Sequence, residues 1–392
     1  MITQFHVANY KALRDVTLDL TPIHVLIGPN GSGKSSILEA AALLSWTVTD
    51  PVQSFWPAGT DFGVLPLKSG QPIAVNCEIK GENLSGEYGF RFEISPLGSN
   101  SGPIPLTDEY FKPLNGGHWK SEIGSNPMTA VRLATQSSNW RIVPKEIAVG
   151  VTEQLAGIII QRWNPGFLRM PVVLSGDHRL EIDRSGFGLA QCLDDILGMD
   201  RTKFAQLEGE LSRMFPEILN IQLISETAYQ WPKRGVGVGL PQITGQSGKG
   251  IRFKLADEKT IPAAQASDGL LIILGYLTQL HLPNPPRVFM IEEPENGIHP
   301  ERVREIIGLL RKLIKNHPNT QILMTTHSPY LLDEFQPEEV TLCSKATDGS
   351  VSVRRLSDIP DVKRQLDVFR LGEIWTAEGD DQLAKSPVEG AK

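Results

Sequence analysis

The segment Ile27-Gly-Pro-Asn-Gly-Ser-Gly-Lys-Ser-Ser36 constrains this chain more than any other stretch. Gly28, Gly33, Lys34 and Ser35 satisfy G-x-x-x-x-G-K-[ST], the pattern of a phosphate-binding loop. The run before it, Ile23-His-Val-Leu-Ile27, is short and apolar and reads as a buried strand. The run from Ser35 to Trp46 is rich in Ala and Leu and reads as a helix. Strand, loop and helix in that order are the context the motif needs. Gly28, Gly31 and Gly33 allow the backbone to wrap so that successive N–H groups face an anion. The helix N-terminus adds partial positive charge. In this pattern Lys34 reaches the outer phosphates and the Ser35 hydroxyl meets Mg²⁺, with Pro29, Asn30, Ser32 and Ser36 completing the cradle.

Phosphate loops serve kinases, pumps, helicases and repair machines alike, so the rest of the chain has to narrow the function. Its 392 residues allow two or three domains. Cys77, Cys192 and Cys343 are far apart and odd in number, which argues against a disulfide framework or a zinc site and fits a reducing cytosol. The opening MITQFHVANYKALRD lacks an apolar secretory core, and no apolar run is long enough to span a bilayer. A cytoplasmic protein without a membrane segment is expected. The net charge of −7 argues against a general nucleic-acid coat. Lys233, Arg234, Lys249, Arg252 and Lys254, around a glycine-rich hairpin, form the strongest candidate patch for DNA contact, although such charges are more often a solvated face.

Apolar alternation predicts two strands at the start, through Ile2, Phe5 and Val7 and then Leu13, Val16, Leu18 and Leu20. Residues 47–145 are rich in Gly, Pro, Ser and Asn, with strands predicted at Ile73–Ile79 and Tyr88–Ile94. Helices are predicted over 186–214, 267–282, 300–316 and 328–334, and a strand over Ile218–Ile224. From Thr376 the chain turns polar and small, which predicts a disordered tail over 376–392. No heptad pattern is sustained between Lys34 and Ser267, so no long coiled coil is expected.

Two distant runs resemble the strand before the phosphate loop. Val288-Phe-Met-Ile ends in Glu292 and Glu293, and Ile322-Leu-Met ends in Thr325, Thr326 and His327. Both read as buried parallel strands with polar groups at their C-terminal ends. Ligands in open α/β sheets bind at that edge. One nucleotide can then meet Lys34, Ser35, Glu292, Glu293 and His327. Mg²⁺ keeps waters and needs few protein ligands, so Ser35 with Glu292, directly or through water, suffices. Glu293 is left to orient or deprotonate the attacking water, and His327 to contact the terminal phosphate. Ser267 is a good N-cap for the apolar helix of ASDGLLIILGYLTQL. Its N–H groups are candidates for contacting a phosphate in a partner's nucleotide.

The ordered set GPNGSGKSS, ASDG with an apolar helix, IEEPENGIHP and TTHSP resembles the ABC-type ATPase heads of the SMC, RecF and OLD class, grouped with the AAA-family ATPases. The opening FHVANYKALRDVTLDL resembles the first strands of that class; the motifs cover 1–46 and 266–330. The resemblance implies an α/β P-loop NTPase head with a parallel core sheet, an N-terminal antiparallel β subdomain and a helical insert. The implied layout is one bilobed head over 1–375: a Walker A lobe at 1–160, a mixed insert at 161–265 and a signature, Walker B and switch-histidine lobe at 266–375. It implies ATP and Mg²⁺ as cofactors, Gly28–Ser36 as Walker A, and Ser267, Asp268 and Gly269 as the signature loop. Glu292 and Glu293 would end Walker B, Glu295, Asn296 and Gly297 would form the D-loop, and His327 the switch. Heads of this class sandwich ATP between two copies, so a homodimer or higher even-numbered oligomer is implied. The loop glutamine of the class is left open between Gln53 and Gln71. Two departures stand out. Glu292 replaces the usual Asp, and the signature lacks its second Gly and its Gln, while Asp268 would repel a phosphate unless it points away.

OLD-type chains often continue into a metal-dependent nuclease domain, whereas this chain runs about 60 residues past His327 without a clear acidic nuclease motif. The expectation is therefore an ATPase whose ATP state regulates a separate effector, nuclease or toxin, in bacterial anti-phage defence. The alternative is a RecF-like DNA-repair ATPase that binds DNA in an ATP-dependent manner.

Overall fold

The computed structural model describes residues 1–49, 66–68, 70–81, 84–93, 106–114, 118–121, 129–138, 141–174, 181–230 and 240–385. Gln53, Ile94, Lys233 and Arg234, each singled out above, lie outside the described residues. Two compact units form. One comprises Met1–Ile160, Pro286–Glu293 and Pro318–Lys392; the other comprises Gln161–Pro285 and Pro294–His317.

The first unit holds two six-stranded sheets. In the antiparallel one, the strands Leu13–Asp19 and Ile2–Tyr10 are followed by Ile73–Lys80, Ser85–Phe92, Leu106–Pro113 and Trp119–Lys120. Its alternation is visible in Ile73, Val75, Cys77 and Ile79, all buried on one face. The other sheet runs Val351–Arg355, Val340–Lys345, Ile23–Ile27, Gln321–Thr325, Val288–Glu292 and Ile158–Gln161. Its centre is parallel: Glu292 stands beside Thr325, Thr325 beside Leu26, and Ile27 beside Leu342. These strands read as continuous apolar runs because both of their faces are covered.

The helix Lys34–Thr49 contacts strands of both sheets. That is why its sequence is apolar nearly all round rather than along one stripe. Gln321 ties the sheets together. Its side chain accepts from the Ile2 N–H at 3.1 Å and donates to Ile2 O at 2.9 Å and Thr21 O at 3.0 Å. The expected tail is corrected over its first part. Leu371–Lys385 is helical with a break at Gly379, whose φ is 74°. Leu383 is buried and the Trp375 indole donates to Asp380 at 2.8 Å, so isolated apolar residues in a polar stretch found a surface to cover.

In the second unit, the helical stretch over 186–214 is two helices, Leu189–Met199 and Arg201–Met214. Asp200 leaves the helical region and caps the second one, accepting from the N–H groups of Thr202 and Lys203 at 2.9 and 3.2 Å. Strands Ile218–Gln230 and Gln242–Leu255 pair antiparallel, with Thr260–Pro262 at the edge. Helix Asp268–His281 is buried from Leu270 to Leu280. Trp163 lies against it, 4.9 Å from the Tyr276 ring, and fits because Gly275 has no Cβ; one placed there would meet the indole at 2.7 Å. Among the described residues the longest helix has 17 residues, too short for a coiled-coil arm, and no helix is long and apolar enough to cross a membrane. All three cysteines are buried and free.

The phosphate-loop strand hides a polar residue. His24 is fully buried, with one ring nitrogen 3.1 Å from the Thr21 hydroxyl and the other 2.9 Å from the Thr341 hydroxyl. Burial, with help from Arg355, pushes its pKa down from 6.5 to about 3. The unfolded chain therefore binds more protons between those values, and stability falls as pH drops below 6.5. His24 is expected to account for a loss of about 2 kcal/mol between pH 7 and pH 5. Denaturant unfolding of wild type and His24→Gln at both pH values checks this: the variant should lack that share of the acid slope.

Candidate functional site

The phosphate loop leaves the sheet at Gly28 and enters its helix at Lys34. Gly28, Gly31 and Gly33 have φ of 133°, 77° and 92°, the region that favours glycine. Two of them are also held by contact. A Cβ on Gly28 would lie 2.1 Å from the Cys343 carbonyl oxygen, and one on Gly33 would lie 2.5 Å from the Val351 side chain. Gly31 faces open space. The loop thus sits against the neighbouring hairpin strands and must do so without side chains.

Lys34 folds back over the loop, donating to the carbonyls of Gly28 at 2.7 Å and Pro29 at 3.0 Å. Burial pushes its pKa down, against the raising effects of Cys343, Glu293 and Asp380. The ammonium is buried and faces carbonyl dipoles. The Ser32 hydroxyl is buried without a hydrogen-bond partner among the described residues. Both observations fit an anion such as a polyphosphate held in this cradle. Ser35 is exposed on the first turn of the helix and Glu292 is half-buried at a strand end. Their oxygens are the donor type a hard Mg²⁺ ion takes.

The parallel register brings three strand ends to one edge: Ile27 before the loop, Glu292 before Glu293, and Thr325 before Thr326 and His327. At Glu293 the chain does not continue the strand. It adopts φ 47°, an uncommon conformation for a residue with a side chain. Its N–H donates to Thr325 O at 3.1 Å and to the Thr325 hydroxyl at 3.3 Å, which holds the turn. The side chain then meets His327, with Oε1 3.4 Å from Nε2. A backbone held in this region at a candidate catalytic residue is the kind of strain that a packed neighbour has to maintain.

In the second unit, Ser267 caps the helix Asp268–His281, its hydroxyl accepting from the Leu270 N–H at 3.3 Å. Glu295, Asn296 and Gly297 fold beside that N-terminus. A Cβ on Gly269 would lie 3.4 Å from Gly297 O, and one on Gly297 would lie 3.8 Å from the Asp268 side chain. The segments Ser267–Gly269 and Glu295–Gly297 therefore abut. Asp268 pairs with Arg169 at 2.5 Å. Arg169 was missed in the sequence: a lone arginine in GFLRM, 99 residues upstream, carries no signal of its partner. Gln71 is exposed, with its backbone oxygen accepting from Asn9 at 2.9 Å. In the basic cluster, Lys249 pairs with Asp194 at 2.9 Å and Lys254 with Glu258 at 2.8 Å, while Arg252 is exposed.

Comparison with known proteins bears on the sequence family and the fold. A family model described as "AAA ATPase domain" matches residues 1–86, and one described as "AAA domain, putative AbiEii toxin, Type IV TA system" matches residues 161–333. The OLD nuclease of Thermus scotoductus is 24% identical over 395 residues, covering 98% of this chain and 70% of the relative. Among solved structures, an Smc head bound to the C-winged helix domain of ScpA aligns with a TM-score of 0.54 at 15% identity, over 90% of this chain and 96% of that one. An Smc head with an extended coiled coil, bound to the C-terminal domain of ScpA from Pyrococcus furiosus, aligns with a TM-score of 0.53 at 12% identity, over 93% and 99%. Two AAA-family ATPase models thus match separate parts of the chain, which is distantly similar to an OLD nuclease and has the head-domain fold of SMC proteins.

Proposed function

We propose that this ATPase closes as two copies, or a higher even number, around ATP and Mg²⁺, and that its nucleotide state controls a separate nuclease or toxin in bacterial anti-phage defence. The observation that carries the catalytic part is the shared strand edge, where Glu293 turns back through Thr325 to meet His327 beside the phosphate-loop strand. The defence part is supported by the toxin–antitoxin description of one matching family and by the nuclease named in the relative, 70% of whose length this chain spans.

In this reading the loop N–H groups and Lys34 bind the β- and γ-phosphates of ATP. Ser35 and Glu292 would hold Mg²⁺, which when bound offsets phosphate charge as it redistributes. Glu292 has one methylene more than the usual Asp, which suits contact directly or through a water. Glu293 orients the attacking water and accepts its proton. His327 donates to the terminal phosphate, and its contact with Glu293 links the two sensors of that group. Ser267 and the N–H groups at Asp268 and Gly269 cap the nucleotide bound by the other copy.

The loop geometry makes one outcome specific. Gly28→Ala is expected to weaken ATP binding at least about thirtyfold, roughly 2 kcal/mol, because the loop must move off the Cys343 carbonyl. Gly31→Ala, whose Cβ meets nothing within 4 Å, should weaken it much less. Calorimetric titration with ATP compares the two, and equal losses would refute the steric account.

Glu293→Gln is expected to lower kcat by about 10²–10³-fold and to accumulate an ATP-dependent dimer or larger even assembly. Ser267→Arg should abolish that assembly. Light scattering with and without ATP–Mg²⁺ reads both. A mass unchanged by ATP in every variant would leave the chain a monomeric or constitutively assembled ATPase and remove the sandwich.

A further inference from the structure

The signature helix carries a conflict that the sequence alone raises and the structure answers. If the N-terminus at Ser267 faces a partner's nucleotide, Asp268 places a carboxylate beside a polyphosphate. Like charges brought close together in a partly buried site repel enough to weaken association on the order of tenfold or more. Arg169 closes the short helix Pro165–Leu168, which Asn164 starts by accepting from the Gly166 N–H at 2.7 Å. Its Nε donates back to the Pro165 carbonyl at 3.2 Å, which fixes the guanidinium plane. Nη2 then meets Asp268 Oδ1 at 2.5 Å. Asp268 remains 55% exposed on its side chain and Arg169 29%, so the pair stands at the surface of this helix end, where a ligand's charge would be felt.

We infer that Arg169 is a positioning residue of the signature loop, neutralising Asp268 so that the Ser267 helix end can approach the phosphates bound by a second copy. The inference rests on the two-copy sandwich proposed above. The missing glycine and glutamine of the usual signature have no direct replacement. The loop instead keeps an acid that supports its own helix N-terminus and screens that acid from the ligand with an arginine from a distant segment.

A double-mutant cycle tests this, run in the Glu293→Gln background so that ATP is retained. The dimer dissociation constant with ATP–Mg²⁺ is measured by sedimentation or light scattering for Arg169→Ala, Asp268→Asn and both together. Arg169→Ala alone should weaken dimerisation about tenfold or more. Added to Asp268→Asn, it should weaken it less than about threefold, because no charge is left to mask. An arginine needed for the local fold, or one touching phosphate itself, would cost as much in both backgrounds, and that result overturns the inference. So does Arg169→Ala without effect. If the Glu293→Gln parent forms no ATP-dependent dimer, the sandwich itself is refuted and the role of Arg169 with it; a parent that dimerises isolates the fate of the inference from that of the reading.

Discussion

The candidate catalytic centre depends on the register of three parallel strands. Val25 lies beside Met324, and Met324 beside Ile291, so the strands end together. Had one slipped by a single residue, its side chains would have exchanged faces and its terminal polar group would have moved away from the loop. The register is held by packing on both faces and by Gln321, whose amide bonds to Ile2 and Thr21 at the opposite end of the sheet. A buried amide with both ends occupied tolerates no shift without leaving polar atoms unpaired. The N-terminal strand thereby helps to set the alignment of the candidate site edge.

Several titratable groups are buried inside this unit. His24 is kept neutral by burial between two hydroxyls, and Lys34 is depressed by burial while three acidic groups pull the other way. Glu109, buried on the strand Leu106–Pro113 of the antiparallel sheet, accepts from Tyr88 at 2.9 Å and from the backbone at Ala130 at 2.5 Å, and burial still pushes its pKa up to about 7. These groups are costly unless every partner is in place, which favours one arrangement of strands and helices over near alternatives.

Much of the frame was legible. The loop residues Gly28 to Ser36, the strand ends at Glu292 and Thr325, and the helix over 300–316 are local patterns of period and chemistry, and the structure shows these elements at or near the expected residues. Other features were not. The stretch 186–214 read as one helix because its apolar face continues; only Asp200, by capping the second helix, breaks it. The stretch after Thr376 read as structureless because its composition is polar, yet Leu383 and Trp375 suffice to dock it as helix.

By itself the sequence determined the class of chemistry. A phosphate loop, two acids ending an apolar run and a histidine ending another are short-range facts, written in adjacent residues. The tertiary structure alone decided how those groups face one another. Glu293 reaches His327 because its backbone enters the left-handed region under two bonds from Thr325. Asp268 is paired because the end of a separate short helix delivers Arg169. Both depend on partners 32 and 99 residues away. No local periodicity encodes such pairings, because they are selected by the packing of whole elements.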